Sequence, residues 1–239
     1  MDGITRAFST ENRNIAALGK TRSLARLFEG RPIEQLRVDQ PVFAEGTELD
    51  QVVLVLDGAL RSVRMLSDGR RAVCRFFYKG DVLDLCPPAS QLTSVEAASP
   101  CRIARIRRRN IEASVDSNSN LKSQFIELLA SEVAASQDHM LLLSCKTAEE
   151  RICSFLINFI RRNHLAQGRC VRVELPMCRR DIADHLGLTI ETISRTFTKL
   201  SQRGALRFDR SRGRKTMLIA QLSLIEHLSA EETDEIQHH

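Results

Sequence analysis

Glu191, Ser194 and Arg195 stand at positions i, i+3 and i+4 of the stretch MCRRDIADHLGLTIETISRTFTKL, residues 177–200. On a helix this spacing brings three side chains onto one face. Their chemistry suits the edges of base pairs. Arginine forks onto O6 and N7 of guanine, glutamate accepts from N4 of cytosine, and serine serves either base type or a phosphate. The major groove of double-stranded DNA admits one such helical face. Cys178, Asp181 and His185 make a second set on the preceding helix, with the types of a nucleophile, an acid and a base. Seven residues of helix put Cys178 and His185 about 10 Å apart, too far for the hydrogen bond of about 3 Å that activates a nucleophile. No enzyme is expected.

The base-reading types need a partner helix and a turn. Gly187 stands where a left-handed backbone is easiest, and Ala183 is small enough in mid-helix for two helices to approach. Ile182, Leu186, Leu188 and Ile193 would form the core between them. Before the pair, RCVRVELP reads as a short strand ended by Pro176; after it, LRFDRSRGRKTMLI reads as two β-prone runs around a turn at Gly213. A strand, two helices and a basic hairpin make a winged helix-turn-helix. Residues 177–220 hold ten Lys and Arg against four acids, whereas the whole chain has a net charge of only +5. Five acids and no Lys or Arg follow residue 220, so basic charge is concentrated where phosphates would bind. Arg179, Arg180, Lys199, Arg212 and Arg214 are the candidate DNA-backbone contacts.

Residues 1–30 carry a weak helical pattern (Ala16, Leu18, Leu24, Leu27, Phe28) without strong caps and read as a loosely attached leader. Residues 31–115 are β-rich, with a turn at Asp68 and Gly69 and punctuating glycines at Gly46, Gly58 and Gly80, the pattern of a small antiparallel roll. Residues 116–145 turn helical after the cap-rich SVDSNSN. There Leu129, Val133, Ser136, Met140 and Leu143 follow at intervals of four, three, four and three, the seam of a coiled coil. A helix of roughly 25 residues is about 37 Å long, more than one small roll covers, so a second copy is the expected cover. Residues 146–239 form the DNA-binding domain, opening on a helix with Thr147 and Glu150 at capping-box spacing.

With 239 residues, 43% of them hydrophobic, the chain has room for two domains. It has no apolar run of the roughly 18 residues that span a membrane, and MDGITRAFSTENRN lacks the apolar core of a signal peptide, so a cytoplasmic location is expected. The seven cysteines then read as thiols; none forms a CxxC pair, and neither they nor the final QHH suggests a metal site.

A β-roll, a long dimer helix and a C-terminal winged helix carrying ETISR resemble the CRP/FNR superfamily of bacterial transcription regulators, over residues 33–220. LGLTIETISRTFTKL is most similar to the FNR and FixK branch; the CRP branch has an arginine immediately before the glutamate, where this chain has Ile190. The resemblance implies an α+β fold with an N-terminal cyclic-nucleotide-binding-like roll. It implies a homodimer that reads a palindrome of the type TTGAT, spacer, ATCAA through Glu191, Ser194 and Arg195, and activates transcription through RNA polymerase. Control of microaerobic or nitrogen metabolism is implied in the same way.

The roll's ligands in this superfamily do not carry over. A nucleotide pocket needs a Gly-Glu pair and, further on, an Arg-Ser pair; this chain offers Asp84 and Leu85, then Thr93 and Ser94, leaving a phosphate without a cation. The first 73 residues contain no cysteine for an iron-sulfur cluster, and no histidine precedes His139 to pair with Cys74 on a haem. Cys74, Cys86 and Cys101 read as buried structural thiols, and no cofactor is expected. The alternative is a regulator of the same fold that needs an unidentified small effector in the roll. Cys178, which the resemblance places at the start of the first helix facing the DNA backbone, has a helix N-terminus, Arg179 and Arg180 beside it. These features favour a thiolate open to oxidation.

Overall fold

The structure is a computed structural model that describes residues 22–47, 50–83, 93–165, 170–209 and 216–230. Arg212, Arg214, the turn at Gly213, Cys86, Asp84, Leu85 and the first part of the leader lie outside the described residues. The chain divides between Ala135 and Ser136 into two compact units.

The first unit holds two four-stranded antiparallel sheets. Their strands are β1 (Ile33–Leu36), β2 (Pro41–Phe43), β3 (Gln51–Asp57), β4 (Ala59–Met65), β5 (Arg71–Tyr78), β6 (Val82–Leu83), β7 (Ser94–Ala97) and β8 (Cys101–Arg107). One sheet has the order β1-β8-β3-β6 and the other β2-β7-β4-β5. The unbroken VVLV of β3 is apolar on both faces because both are covered. Val53 and Val55 meet Leu36, Leu60, Val95 and Ile103 between the sheets. Val52 and Leu54 face the other way, against Leu24 of α1 (Arg22–Arg26), Phe28 in the turn after it, Ile111 of α2 (Arg108–Ser117) and Leu121 of α3 (Ser119–Cys145). The one-residue turn by which the chain passes from β3 in one sheet to β4 in the other requires glycine at position 58: φ is +77° and a Cβ there would lie 2.2 Å from the Pro100 carbonyl oxygen.

Two expectations are corrected in this unit. The leader is not loosely attached at its end: Leu24 and Ala25 are fully buried and Phe28 nearly so, because they seal the outer face of β3 and β8. Cys74 is exposed, since its position on β5 points away from the core, whereas Cys101 is buried and its thiol is pushed up to about 12 by that burial.

The second unit continues α3 from residue 136 and adds α4 (Ala148–Arg162), β9 (Val171–Glu174), α5 (Arg179–Leu186), α6 (Ile190–Gln202), β10 (Leu206–Phe208), β11 (Thr216–Ile219) and α7 (Leu222–Ala230). The strands pair antiparallel in the order β10-β11-β9. The expected capping box starts α4: Thr147 N–H donates to Glu150 Oε2 at 2.7 Å, and Glu150 N–H donates to Thr147 Oγ1 at 3.5 Å. Ile152, Leu156 and Ile160 of α4 are buried, as are Val173, Ile182, Ile193, Phe197, Met217 and Ile225 from the other elements. No described helix is long and apolar enough to cross a membrane.

Candidate nucleic-acid interface

The helix pair is built on a left-handed turn. Gly187 ends α5 at φ +63°, and the N–H groups of Gly187 and Leu188 both bond to the Ala183 carbonyl, a close that only glycine adopts without strain. Two residues later the Thr189 hydroxyl accepts from Thr192 N–H at 3.2 Å and starts α6. Apolar spacing then rotates the helix: Ile193, Phe197 and Leu200 are buried, while Glu191 and Arg195 are exposed and Ser194 is half-buried on the outward side. The three expected base-reading residues therefore share one accessible face. Glu191 is kept ionised by its own backbone N–H, then the Thr189 hydroxyl and the Arg195 guanidinium, which hold its carboxyl below the usual range. It is thus an acceptor beside a donor. Ile190, also exposed, adds an apolar side chain at the start of this helix, the type that meets a thymine methyl.

A single guanidinium anchors the turn. Arg151 of α4 donates through Nη1 to the Leu186 carbonyl at 3.0 Å, through Nη2 to the Leu143 carbonyl at 2.8 Å and through Nε to the Lys146 carbonyl at 2.9 Å. These acceptors lie at the ends of α5 and α3, where carbonyls lack intrahelical donors and attract a cation. Beside them the rings of His139 and His185 stack at 4.3 Å and 11°. Burial holds His139 below its ordinary pKa.

The expected phosphate contacts divide. Arg180 is exposed. Arg179 is folded back: it donates to Ser194 Oγ at 3.1 Å and lies over the rings of Phe197 and Phe208. Lys199 pairs with Glu149 of α4, which also takes Arg203 at 2.6 Å. In the single chain Arg179 and Lys199 thus both have side-chain partners within the protein. Sequence reading missed Glu149 and Arg151, whose partners lie up to 54 and 35 residues away.

Cys178 is the N-cap of α5 and exposed, as expected, but its chemistry differs. Partial burial and the Asp181 carboxylate raise its pKa, and Sγ lies 3.2 Å from Asp181 Oδ2, which also accepts from Cys178 N–H at 3.3 Å. Arg179, the expected counter-charge, points to Ser194 instead. The expectation of a thiolate is therefore corrected: the sulfur is a thiol that donates to a carboxylate. His185 stacks on His139, and among the described residues no group of three or more His, Cys, Asp or Glu is placed to hold a metal.

On α3 the expected seam is exposed in the single chain: Val133 at 59%, Met140 at 62% and Leu143 at 37%, with Ser136 exposed and Leu129 half-buried. Ile126, three residues before Leu129 and 57% exposed, continues the same spacing and was legible by it.

A Crp-like helix-turn-helix domain model matches residues 150–228, and a cyclic nucleotide-binding domain model matches residues 33–118. The nitrogen fixation regulation protein FixK of Azorhizobium caulinodans is 36% identical over 83% of this chain and 75% of its own length. The transcriptional activator protein FnrA of Stutzerimonas stutzeri is 31% identical over 74% of this chain and 72% of its own. The solved structure of FixK2 from Bradyrhizobium japonicum superposes with a TM-score of 0.76 at 34% identity, covering 84% of this chain and 98% of that one.

The Cys178 geometry sets a pH dependence. A raised pKa means that thiolate is scarce near neutrality and forms only as pH rises past the ordinary thiol range. Alkylation of Cys178 by iodoacetamide, followed by peptide mass spectrometry, should climb with a midpoint above that of a free cysteine peptide. Asp181→Asn, which removes the adjacent negative charge, should lower that midpoint. Rapid labelling already at pH 6 would contradict the assignment.

Proposed function

Because the chain belongs to the CRP/FNR superfamily of transcription regulators, in its FixK-like branch, we propose that it binds a TTGA-type palindrome as a homodimer and activates transcription there. The observation that carries this reading is the outward face of α6, where Glu191 and Arg195 stand exposed beside Ser194 while the opposite face is sealed in the core. Arg195 supplies a fork for guanine, Glu191 accepts from cytosine, and Ile190 meets a thymine methyl. Arg180, with Arg212 and Arg214, holds phosphates and sets register. The exposed seam of α3 pairs with its copy, which puts two reading helices on one two-fold site. RNA polymerase is the partner through which activation works, and the setting is the cytoplasm. The nitrogen fixation role named for the FixK relative extends to this chain within the same proposal.

Oxidation of Cys178 belongs to it as well, through the thiolate fraction that grows as pH rises. Peroxide delivers oxygen to the sulfur and leaves as water, and a second transfer gives a sulfinate. That charge would stand beside the Asp181 carboxylate now 3.2 Å from Sγ, breaking the capping box that starts α5 and facing the DNA backbone.

Three titrations test these parts. Arg195→Ala should lose about 1–3 kcal/mol on the palindrome and relax preference at one base pair, whereas Arg212→Ala should weaken all sequences alike; equal losses on every sequence would remove Arg195 from its role. Met140→Glu should sediment as a monomer with weak palindrome binding, and an intact dimer would reject the seam. Peroxide treatment above the thiol range of pH, followed by titration at neutral pH, should abolish binding by wild type and spare Cys178→Ser; equal sensitivity of the two would rule out the switch.

A further inference from the structure

Ser194 sits half-buried within the reading face, and its hydroxyl has a fixed neighbour. Arg179 Nη1 donates to Ser194 Oγ at 3.1 Å. The same guanidinium lies 5.5 Å from the centroid of Phe197 and 5.3 Å from that of Phe208, rings that meet edge to face at 5.8 Å and 80°. One planar cation thus joins the first residue of α5, the middle of α6 and the end of β10. Two aromatic faces and a hydroxyl suit a guanidinium better than a lysine ammonium, which neither stacks nor forks.

The direction of this bond matters. A guanidinium only donates, so Ser194 Oγ gives a lone pair to Arg179 and its own hydrogen must point elsewhere. One lone pair remains, and the neighbouring positive charge weakens it as an acceptor while making the hydroxyl a stronger donor. Serine alone is ambivalent toward base edges, because it can donate to purine N7, guanine O6 or thymine O4, or accept from cytosine N4 or adenine N6. We propose that Arg179 is a positioning residue that sets the specificity of Ser194, holding it as a hydrogen-bond donor so that α6 selects an acceptor atom on the DNA at that position. This rests on the assignment of α6 as the helix that enters the groove. It differs from a phosphate contact, which would add affinity without discrimination.

The test uses full-length wild type, Arg179→Met, Arg179→Lys and Ser194→Ala. Each is titrated onto a TTGA palindrome, a scrambled duplex, and palindromes from which one acceptor at a time is deleted. Purines become their 7-deaza forms, guanine becomes 2-aminopurine, thymine becomes 5-methyl-2-pyrimidinone, and single phosphates become methylphosphonates. One base-edge deletion should cost wild type about tenfold, the weight of one hydrogen bond, and cost Ser194→Ala about twofold or less. Arg179→Met should lose the same penalty. Arg179→Lys, which keeps the charge, should preserve the salt dependence of binding and still lose that penalty. Should Arg179→Met fail to melt cooperatively, the lysine variant decides alone.

The proposal is overturned if either Arg179 variant keeps the wild-type penalty, if no base-edge deletion depends on Ser194, or if only a methylphosphonate does. It is also overturned if Arg179→Met weakens every duplex alike with a salt slope shallower by about one, the mark of a phosphate contact. Failure of wild type to prefer the palindrome over the scrambled duplex would instead overturn the assignment of α6 itself.

Discussion

The three hydrogen bonds of the Arg151 guanidinium fix the turn that leads into α6, the helix proposed to read DNA. Arg151 binds the carbonyls of Leu143, Lys146 and Leu186, and so ties the end of α3 and the end of α5 to the start of α4. Each acceptor is a carbonyl near a helix end, where a cation is favoured and where water would otherwise be needed. Leu186 immediately precedes Gly187, so the anchored carbonyl is the last fixed point before the chain turns into α6. A Cβ at Gly187 would make only ordinary contact with Arg151 Nη1 at 3.6 Å, so it is the backbone angle, φ +63°, that calls for glycine there. Because the end of α3 shares this anchor, that end and the end of α5 are joined through one side chain.

Charge is distributed around that frame to favour discrimination over indiscriminate attraction. Glu149 pairs with both Lys199 and Arg203 towards the C-terminal end of α6, which removes two cations from the pool available to phosphates. Glu191 and Arg195 stand exposed nearer the N-terminal end of α6, the end that enters the groove in a helix-turn-helix. Sequence-independent affinity scales with the number of phosphates neutralised, so internal pairing of this kind lowers the background against which base contacts are read. The long-range field of the basic domain remains for steering.

Periodicity and turn chemistry made much of this legible before any coordinates. Ile182, Leu186 and Ile193 around Gly187 carry the helix pair in their spacing, and Thr147 with Glu150 carries the start of α4. The apolar run of β3 marks a buried strand, although nothing in it tells that its outer face is sealed by Leu24 and Phe28. What could not be read is where long cationic side chains go. Arg179 is adjacent to Cys178 in the chain, and adjacency suggests a counter-charge for the thiol. In the fold the side chain reaches across to α6, and the neighbour of the sulfur is Asp181. Glu149 is an ordinary first-turn acid by spacing, and its pairing with Lys199 and Arg203 exists only once α4 and α6 pack. Flexible charged side chains choose partners in three dimensions, and local pattern does not encode that choice.

The central claim is that two copies of α6, held by this frame, read one symmetric site. Selection of bound sequences from a random duplex pool by the purified full-length protein, at about 0.15 M salt so that phosphate attraction does not dominate, tests it most directly. The account predicts a two-fold symmetric motif with TTGA-type half-sites whose centres lie about one helical turn apart. A selected pool without symmetry, or a symmetric motif whose half-site is not of the TTGA type, would contradict it.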